Sequence, residues 1–232
     1  MRDADAEIVR ALPLFSGMQQ AHFETLIGAG YLQRFPRRVG LAHEGERPDF
    51  LHVLVQGSIE FFSESRGRGT TLSFLKPPGA FILAAVVLDQ LCLKSARTAE
   101  PSVVVLIPAE AVRNVFARDP AFARAVVAEL AFRYRGIVKD LKNQRLRTSL
   151  ERLANWILAH NEECGRPGSF TLPVEKRALA HLLGMRPENL SRSLGELAGV
   201  GVEVRGPIIK IGDIAALTEF AKPDPLIDDP KT

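Results

Sequence analysis

Arg186, Glu188, Asn189, Ser191 and Arg192 lie within seven consecutive residues and present two guanidinium groups, a carboxylate, an amide and a hydroxyl. Such groups suit hydrogen bonding to phosphates and base edges, where arginine pairs bidentately with guanine and a carboxylate accepts from the cytosine amino group. To act together they must project from one surface. Leu190, Leu194 and Leu197 recur at helical spacing through the same stretch and turn the polar set to the opposite face. Pro187 suits the first turn, where its missing N–H has no intrahelical partner to lose. Just upstream, Leu179, Leu182 and Leu183 form the apolar face of a shorter helix that Gly184 ends. Two helices joined by a tight glycine-containing turn make a helix-turn-helix, in which the early residues of the second helix face the DNA major groove. Taken alone, the stretch also fits a surface helical hairpin with a solvated polar face.

The residues that follow favour the first reading. Val202–Val204, a turn at Arg205–Pro207 and Ile208–Ile211 read as a short β-hairpin. A helix-turn-helix with such a wing is a winged-helix DNA-binding domain, and Arg205 on the wing becomes a sixth candidate DNA contact. On Gly184 at the turn and Glu188, Ser191 and Arg192 on the second helix, the block resembles the cyclic-AMP receptor protein/FNR superfamily of bacterial transcription regulators. The E-x-x-S-R spacing resembles the FNR-type reading helix, whose Glu, Ser and Arg read a TTGAT-like half-site. The resemblance therefore implies double-stranded DNA with a TTGAT-like inverted repeat as partner, a homodimer to read it, and RNA polymerase as a further partner. Two departures stand out: Arg186 replaces a capping Ser or Thr, and Pro187-Glu188 looks like the branch of nitrogen-oxide-responsive regulators.

At 232 residues the chain is long enough for one large or two modest domains. Its 46% hydrophobic and 25% charged residues are ordinary for a soluble globular protein. No run of apolar residues reaches membrane-spanning length and the start MRDADAEIVRAL is charged, so a cytoplasmic protein without membrane contact is expected. Cys92 and Cys164 are too few for a disulfide framework and have no metal-ligand spacing, so no metal site and no iron–sulfur cluster is expected. A net charge of +3 does not announce nucleic acid, although the stretch 120–150 is strongly basic. The segment after Asp213 is acidic and punctuated by proline, and its end is expected to be disordered.

Short helices are expected over Glu7–Leu12 and Gln20–Leu26, flanking Leu12–Gly17, which resembles the LPLFSGL-like entry to the superfamily's sensor domain. Apolar runs at Phe50–Val55, Ile59–Phe62, Thr70–Phe74 and Val103–Ile107, broken by Gly and Pro, predict a small β-barrel or roll. Gly45, Gly57 and Gly79 match the family's turn glycines and are expected at positive φ. Asp119, with Pro120 behind it, should begin a helix reaching about Asn143. Its stripe Phe122, Val126, Leu130, Tyr134, Ile137 and Leu141 resembles the family's long dimerisation helix and is the expected dimer interface. A further helix is expected over Thr148–His160, where Arg152-Leu153-Ala154 resembles the start of the family's DNA domain, and a strand over Phe170–Leu172.

The expected fold is therefore α+β. A cupin-like β-roll sensor of the cyclic-nucleotide-binding type spans 1–118, a dimerisation helix and hinge 119–147, a winged helix-turn-helix 148–222 and an acidic tail 223–232. In cyclic-AMP-binding members of the family, Gly-Glu meets the ribose and Arg-Ser the phosphate. Here Leu83-Ala84 and Lys94-Ser95 hold those places, which disfavours a cyclic nucleotide because lysine does not reproduce bidentate phosphate binding. The candidate effector residues are Phe81, Leu83, Ala84, Lys94, Ser95, Arg133, Tyr134 and Ile137, a mostly apolar set suited to a small hydrophobic ligand. A small aromatic acid such as 4-hydroxybenzoate is the first candidate, with Lys94, Arg133 and Tyr134 for its carboxylate and phenol. Haem, with His22, His43 or His52 as ligand, is the second, implying a gas sensor. No HExxH, GxSxG, Walker loop or dinucleotide fingerprint occurs, so no enzyme and no catalytic residues are expected.

Overall fold

The computed structural model describes residues 3–229, with side chains from residue 6, and divides into two units, residues 1–133 and 134–232. In the first, helices α1 (Asp3–Ala11), α2 (Pro13–Ser16) and α3 (Gln20–Ala29) lead into β1 (Tyr31–Phe35), β2 (Gly40–Ala42), β3 (Phe50–Gln56), β4 (Ile59–Ser65), β5 (Arg68–Leu75) and β6 (Gly79–Phe81). Helix α4 (Leu83–Leu88) precedes β7 (Ser95–Thr98) and β8 (Ser102–Pro108), and α5 (Ala109–Arg118) precedes the long α6 (Pro120–Leu146). The strands form two antiparallel sheets in the orders β1-β8-β3-β6 and β2-β7-β4-β5, which is the expected roll. Four strands, β1, β2, β6 and β7, lie outside the predicted runs because they are short or carry charged residues.

Side chains alternate across a strand, so β3 serves two cores at once. Leu51 and Val53 pack with Phe15, Leu26, Val112 and Phe122 from the helices. Leu54 faces Ile59, Phe61, Phe81, Val104 and Leu106 between the sheets. Burial on both faces is why β3 reads as a continuous apolar run. Gly57 stands between β3 and β4 at φ +94°, and a Cβ there would lie 2.6 Å from the Pro101 carbonyl oxygen, so no side chain fits. Gly45 also has the expected positive φ. Gly79 does not: it lies in β6, and its constraint is the Leu75 side chain, 2.9 Å from where a Cβ would sit.

Asp119 ties α3 to the start of α6. Its Oδ1 accepts from the Ala121 and Phe122 N–H groups and its Oδ2 from the Gln19 N–H and His22 Nδ1. Burial alone would raise the pKa of this carboxyl, but these hydrogen bonds to its charged form prevail and hold it at about 2. The helix anchored here corrects one expectation. Phe122 and Val126 belong to the core of the first unit, where Phe122 stacks on Phe15 at 5.9 Å, and Leu130 packs against the same core. A side chain enclosed in its own protomer cannot meet a second one, so Phe122 and Val126 are not dimer-interface residues. Tyr134, Ile137 and Leu141, with Val127 and Phe132, are exposed.

In the second unit α7 (Ser149–Glu163) opens with a reciprocal cap between Thr148 and Glu151. Then follow β9 (Ser169–Thr171), α8 (Lys176–Leu182), α9 (Pro187–Glu196), a 3₁₀ turn at Leu197–Val200, β10 (Val202–Arg205), β11 (Ile208–Ile211), α10 (Ile214–Ala221) and α11 (Pro225–Asp228). Leu197 lies in the 3₁₀ turn rather than on the second helix, although it still enters the core with Leu190 and Leu194. Leu153, Ile157, Leu179, Leu183, Ile209 and Leu217 complete that core. The acidic segment after Asp213 is structured in its described part, because Asp213 caps α10 and Asp224 caps α11. The expected disorder is therefore corrected as far as Asp229, and residues 230–232 lie outside the described residues. Among the described residues, no helix is long and apolar enough to cross a membrane.

Candidate nucleic-acid interface and sensor interior

The polar face foreseen on the second helix of the pair is present. Leu190, Ser193 and Leu194 turn inward on α9, while Arg186, Glu188, Asn189, Ser191 and Arg192 are all exposed. None of these five side chains makes a hydrogen bond or ion pair among the described residues, so the donors and acceptors remain available to a ligand. Arg186 is the N-cap residue with extended backbone and provides no side-chain cap, which leaves the first amides of α9 open as well. Glu188 lies in the first turn, where the helix dipole favours a negative charge.

Gly184 gives the turn its shape: its φ is +62°, a left-handed conformation that glycine adopts without strain. The wing pairs Arg205 with Ile208 across β10 and β11, and β11 pairs with β9 on its other side. Arg205 is 86% exposed and only loosely paired with Glu203 at 3.5 Å. Lys176 and Arg177, in the first turn of α8, are exposed too and have no partner among the described residues. They are absent from the sequence-based set, whose basis was the second helix and wing; two adjacent cations opening the first helix were the available signal.

In the sensor interior, Lys94 Nζ sits 3.8 Å from the centroid of the Phe61 ring. Burial lowers its pKa and the charge of Arg133 pushes the same way, so the ammonium sits in a cation-rich place with no carboxylate partner among the described residues. Arg133 donates from Nη2 to the Ala80 carbonyl at 2.8 Å and pairs with Glu129 at 2.6 Å. Ser95 Oγ accepts from the Glu44 N–H at 3.0 Å. Phe81 lies between the sheets, whereas Leu83 packs with the helices in the other core, so the candidate set is not a single lining. Ala84 is exposed. Tyr134 and Ile137, exposed, fall in the second unit.

The three candidate haem ligands lie in different settings. His22 engages Asp119 at 3.0 Å, and His43 sits at the surface 3.4 Å from Glu46. His52 is buried and stacked on Phe81 at 4.9 Å, with Nδ1 sealed from solvent and no partner in hydrogen-bonding geometry. Burial holds its pKa at about 4, against weaker opposing contacts to the Phe50 and Leu41 backbone. Among the described residues, no group of three or more His, Cys, Asp or Glu is placed to hold a metal ion.

Residues 151–220 match the family model of the Crp-like helix-turn-helix domain, and residues 32–119 that of the cyclic nucleotide-binding domain. The chain belongs to the cyclic-AMP receptor protein/FNR superfamily of transcription regulators. It is 24% identical over 186 residues to the cAMP-activated global transcriptional regulator CRP of Escherichia coli O6:H1, an alignment covering 78% of this chain and 81% of that protein. Among solved structures it is similar to a proposed cAMP-binding regulatory protein from Silicibacter pomeroyi DSS-3, with TM-score 0.60, 26% identity and coverage of 96% and 100% of the two chains. It is also similar in fold to FixK2 from Bradyrhizobium japonicum, with TM-score 0.68, 20% identity and coverage of 82% and 96%. As a superfamily member the chain is a DNA-binding transcription regulator with an effector-binding domain, and its family is one of regulators rather than enzymes. The helix-turn-helix match contains Arg186, Glu188, Asn189, Ser191 and Arg192, and the effector-domain match contains Phe81, Lys94 and Ser95 but not Arg133.

Proposed function

We propose that this regulator acts in the cytoplasm as a homodimer, reads a TTGAT-like inverted repeat with Glu188, Ser191 and Arg192, and responds to a small aromatic acid such as 4-hydroxybenzoate. The observation that carries the DNA reading is the unengaged polar face of α9, which already matches the donor and acceptor demands of guanine and cytosine edges. Arg186, Asn189 and Arg205, with Lys176 and Arg177, supply phosphate or flanking contacts that fix register without reading sequence. The exposed Tyr134, Ile137 and Leu141 serve the pairing of protomers, and RNA polymerase is the further partner.

The effector reading rests on Lys94. A half-buried ammonium over an aromatic ring, beside a second cation, gains most from an anion whose body is apolar. An aromatic carboxylate provides both halves; a cyclic nucleotide needs the bidentate contact that lysine lacks. Haem is the second reading, favoured by the unpartnered Nδ1 of His52, and a Soret band in the purified protein would establish it in place of the acid.

Two substitutions test the assignments separately. Arg192→Ala should weaken binding to the inverted repeat by about 1–3 kcal/mol while leaving binding to unrelated duplex unchanged, as measured by fluorescence anisotropy. Equal loss on every sequence would reassign Arg192 to a phosphate. Lys94→Ala should leave DNA affinity without effector intact and abolish the thermal shift produced by aromatic acids; a retained shift would remove Lys94 from the effector site.

A further inference from the structure

We propose that Arg147 and Asp228 are positioning residues for DNA recognition: the turn formed by 224–229 clamps the peptide that joins α6 to α7 and thereby fixes the helix-turn-helix against the end of α6. Every contact in this argument lies within the second unit. Arg147 has a side chain only 7% exposed and donates from Nη1 and Nη2 to the two carboxylate oxygens of Asp228, at 2.7 and 2.5 Å. This fork-to-fork geometry is the strong form of a charge-assisted pair, and it raises the pKa of the guanidinium. The turn is held to α6 elsewhere too. Lys139 Nζ donates to the Asp229 carbonyl at 2.6 Å and Lys142 Nζ to the Leu226 carbonyl at 3.4 Å, while within the turn the Asp224 N–H donates to Asp228 Oδ2 at 2.7 Å.

The other side of the same peptide faces the reading unit. The Arg147 carbonyl accepts from Arg152 Nη1 at 2.6 Å, and Arg152 Nε donates to the carbonyl of Leu183, the residue that ends α8, at 2.8 Å. Gln144 Nε2 reaches the Leu182 carbonyl at 3.5 Å, and a Cβ on Gly184 would lie only 2.3 Å from Gln144 Oε1. A continuous chain thus runs from the Asp228 carboxylate through Arg147 and Arg152 to the turn that precedes α9. The helix-turn-helix match ends at residue 220, so the clamp lies beyond the matched range. Releasing Asp228 leaves the Arg147 side chain with only the 3.2 Å bond from Nη1 to Asn143 Oδ1, while α7, α8 and α9 keep their shared core.

The test compares the full-length chain with Asp228→Asn, Arg147→Gln, and the exchanged pair Arg147→Asp with Asp228→Arg. Backbone hydrogen exchange at 144–148 and 183–186 should accelerate on the order of tenfold in both single variants, with the interior of α7 unchanged and the exchanged pair partly restored. On DNA, a proposal that also rests on the inverted-repeat reading above, the single variants should tolerate a changed spacing between half-sites while preferring the same half-site bases. Unchanged exchange at those segments, or acceleration spread evenly over the unit, would overturn the clamp. Failure of the unaltered chain to prefer the repeat would overturn the repeat reading itself, and the exchange comparison would still decide the clamp.

Discussion

Phe122→Ala is expected to destabilise the first unit by about 3–5 kcal/mol, seen as a large fall in its thermal midpoint, with no specific loss of self-association among the molecules still folded. The ring is fully buried, stacks on Phe15, and shares a core with Leu26, Leu51 and Val112. Truncation leaves a cavity that one sheet and the helices packed on it cannot close by local movement. Tyr134→Ala on the same helix gives the opposite pattern: its side chain is 66% exposed, so little stability depends on it within the protomer. A Phe122 variant that stays fully stable but becomes monomeric would return this side chain to an interface between protomers.

The second large effect is a pH dependence from His52. Its pKa is about 4 in the folded chain against an ordinary value of 6.5, so between these values the unfolded chain binds a proton that the folded chain refuses. Stability must therefore fall as pH drops from about 6.5 to about 4, with no further loss from this group below that. The full difference corresponds to about 3 kcal/mol for a ring as buried as this one. His52→Phe keeps the stack on Phe81 and removes the titration. Urea unfolding of both proteins between pH 7 and pH 4 should show the gap closing in favour of the variant as pH falls; parallel curves would mean that His52 already charges without cost in the folded state.

The helix-turn-helix was legible because its signals are local: Gly184 at the turn, Pro187 at the first helical position, and leucines at one spacing. The roll was legible in its longer strands, β3 and β8, where burial on both faces produces unbroken apolar runs. The sequence Tyr-Leu-Gln-Arg-Phe of β1 gives no such signal, since its partner β8 lies some seventy residues later and only that pairing makes it a strand. Periodicity also failed to divide α6. Phe122, Val126, Tyr134, Ile137 and Leu141 share one helical spacing, but whether a position is enclosed depends on what surrounds that part of the helix. Residues 224–229 looked like a solvated acidic end because Asp228 and its arginine are eighty-one positions apart in the chain. Among the effector candidates, which the family resemblance suggested, Phe81 and Leu83 are near neighbours in the chain, and no local signal told that they serve different cores.

The central claim is that the exposed face of α9 reads bases. Fluorescence anisotropy of the unaltered protein, with and without aromatic acids, on a TTGAT-type inverted repeat and on a scrambled duplex of equal length and composition tests it most directly. The account predicts binding to the repeat at least about 10³-fold tighter at physiological salt under one of these conditions. Equal affinity for both duplexes under all of them would contradict it.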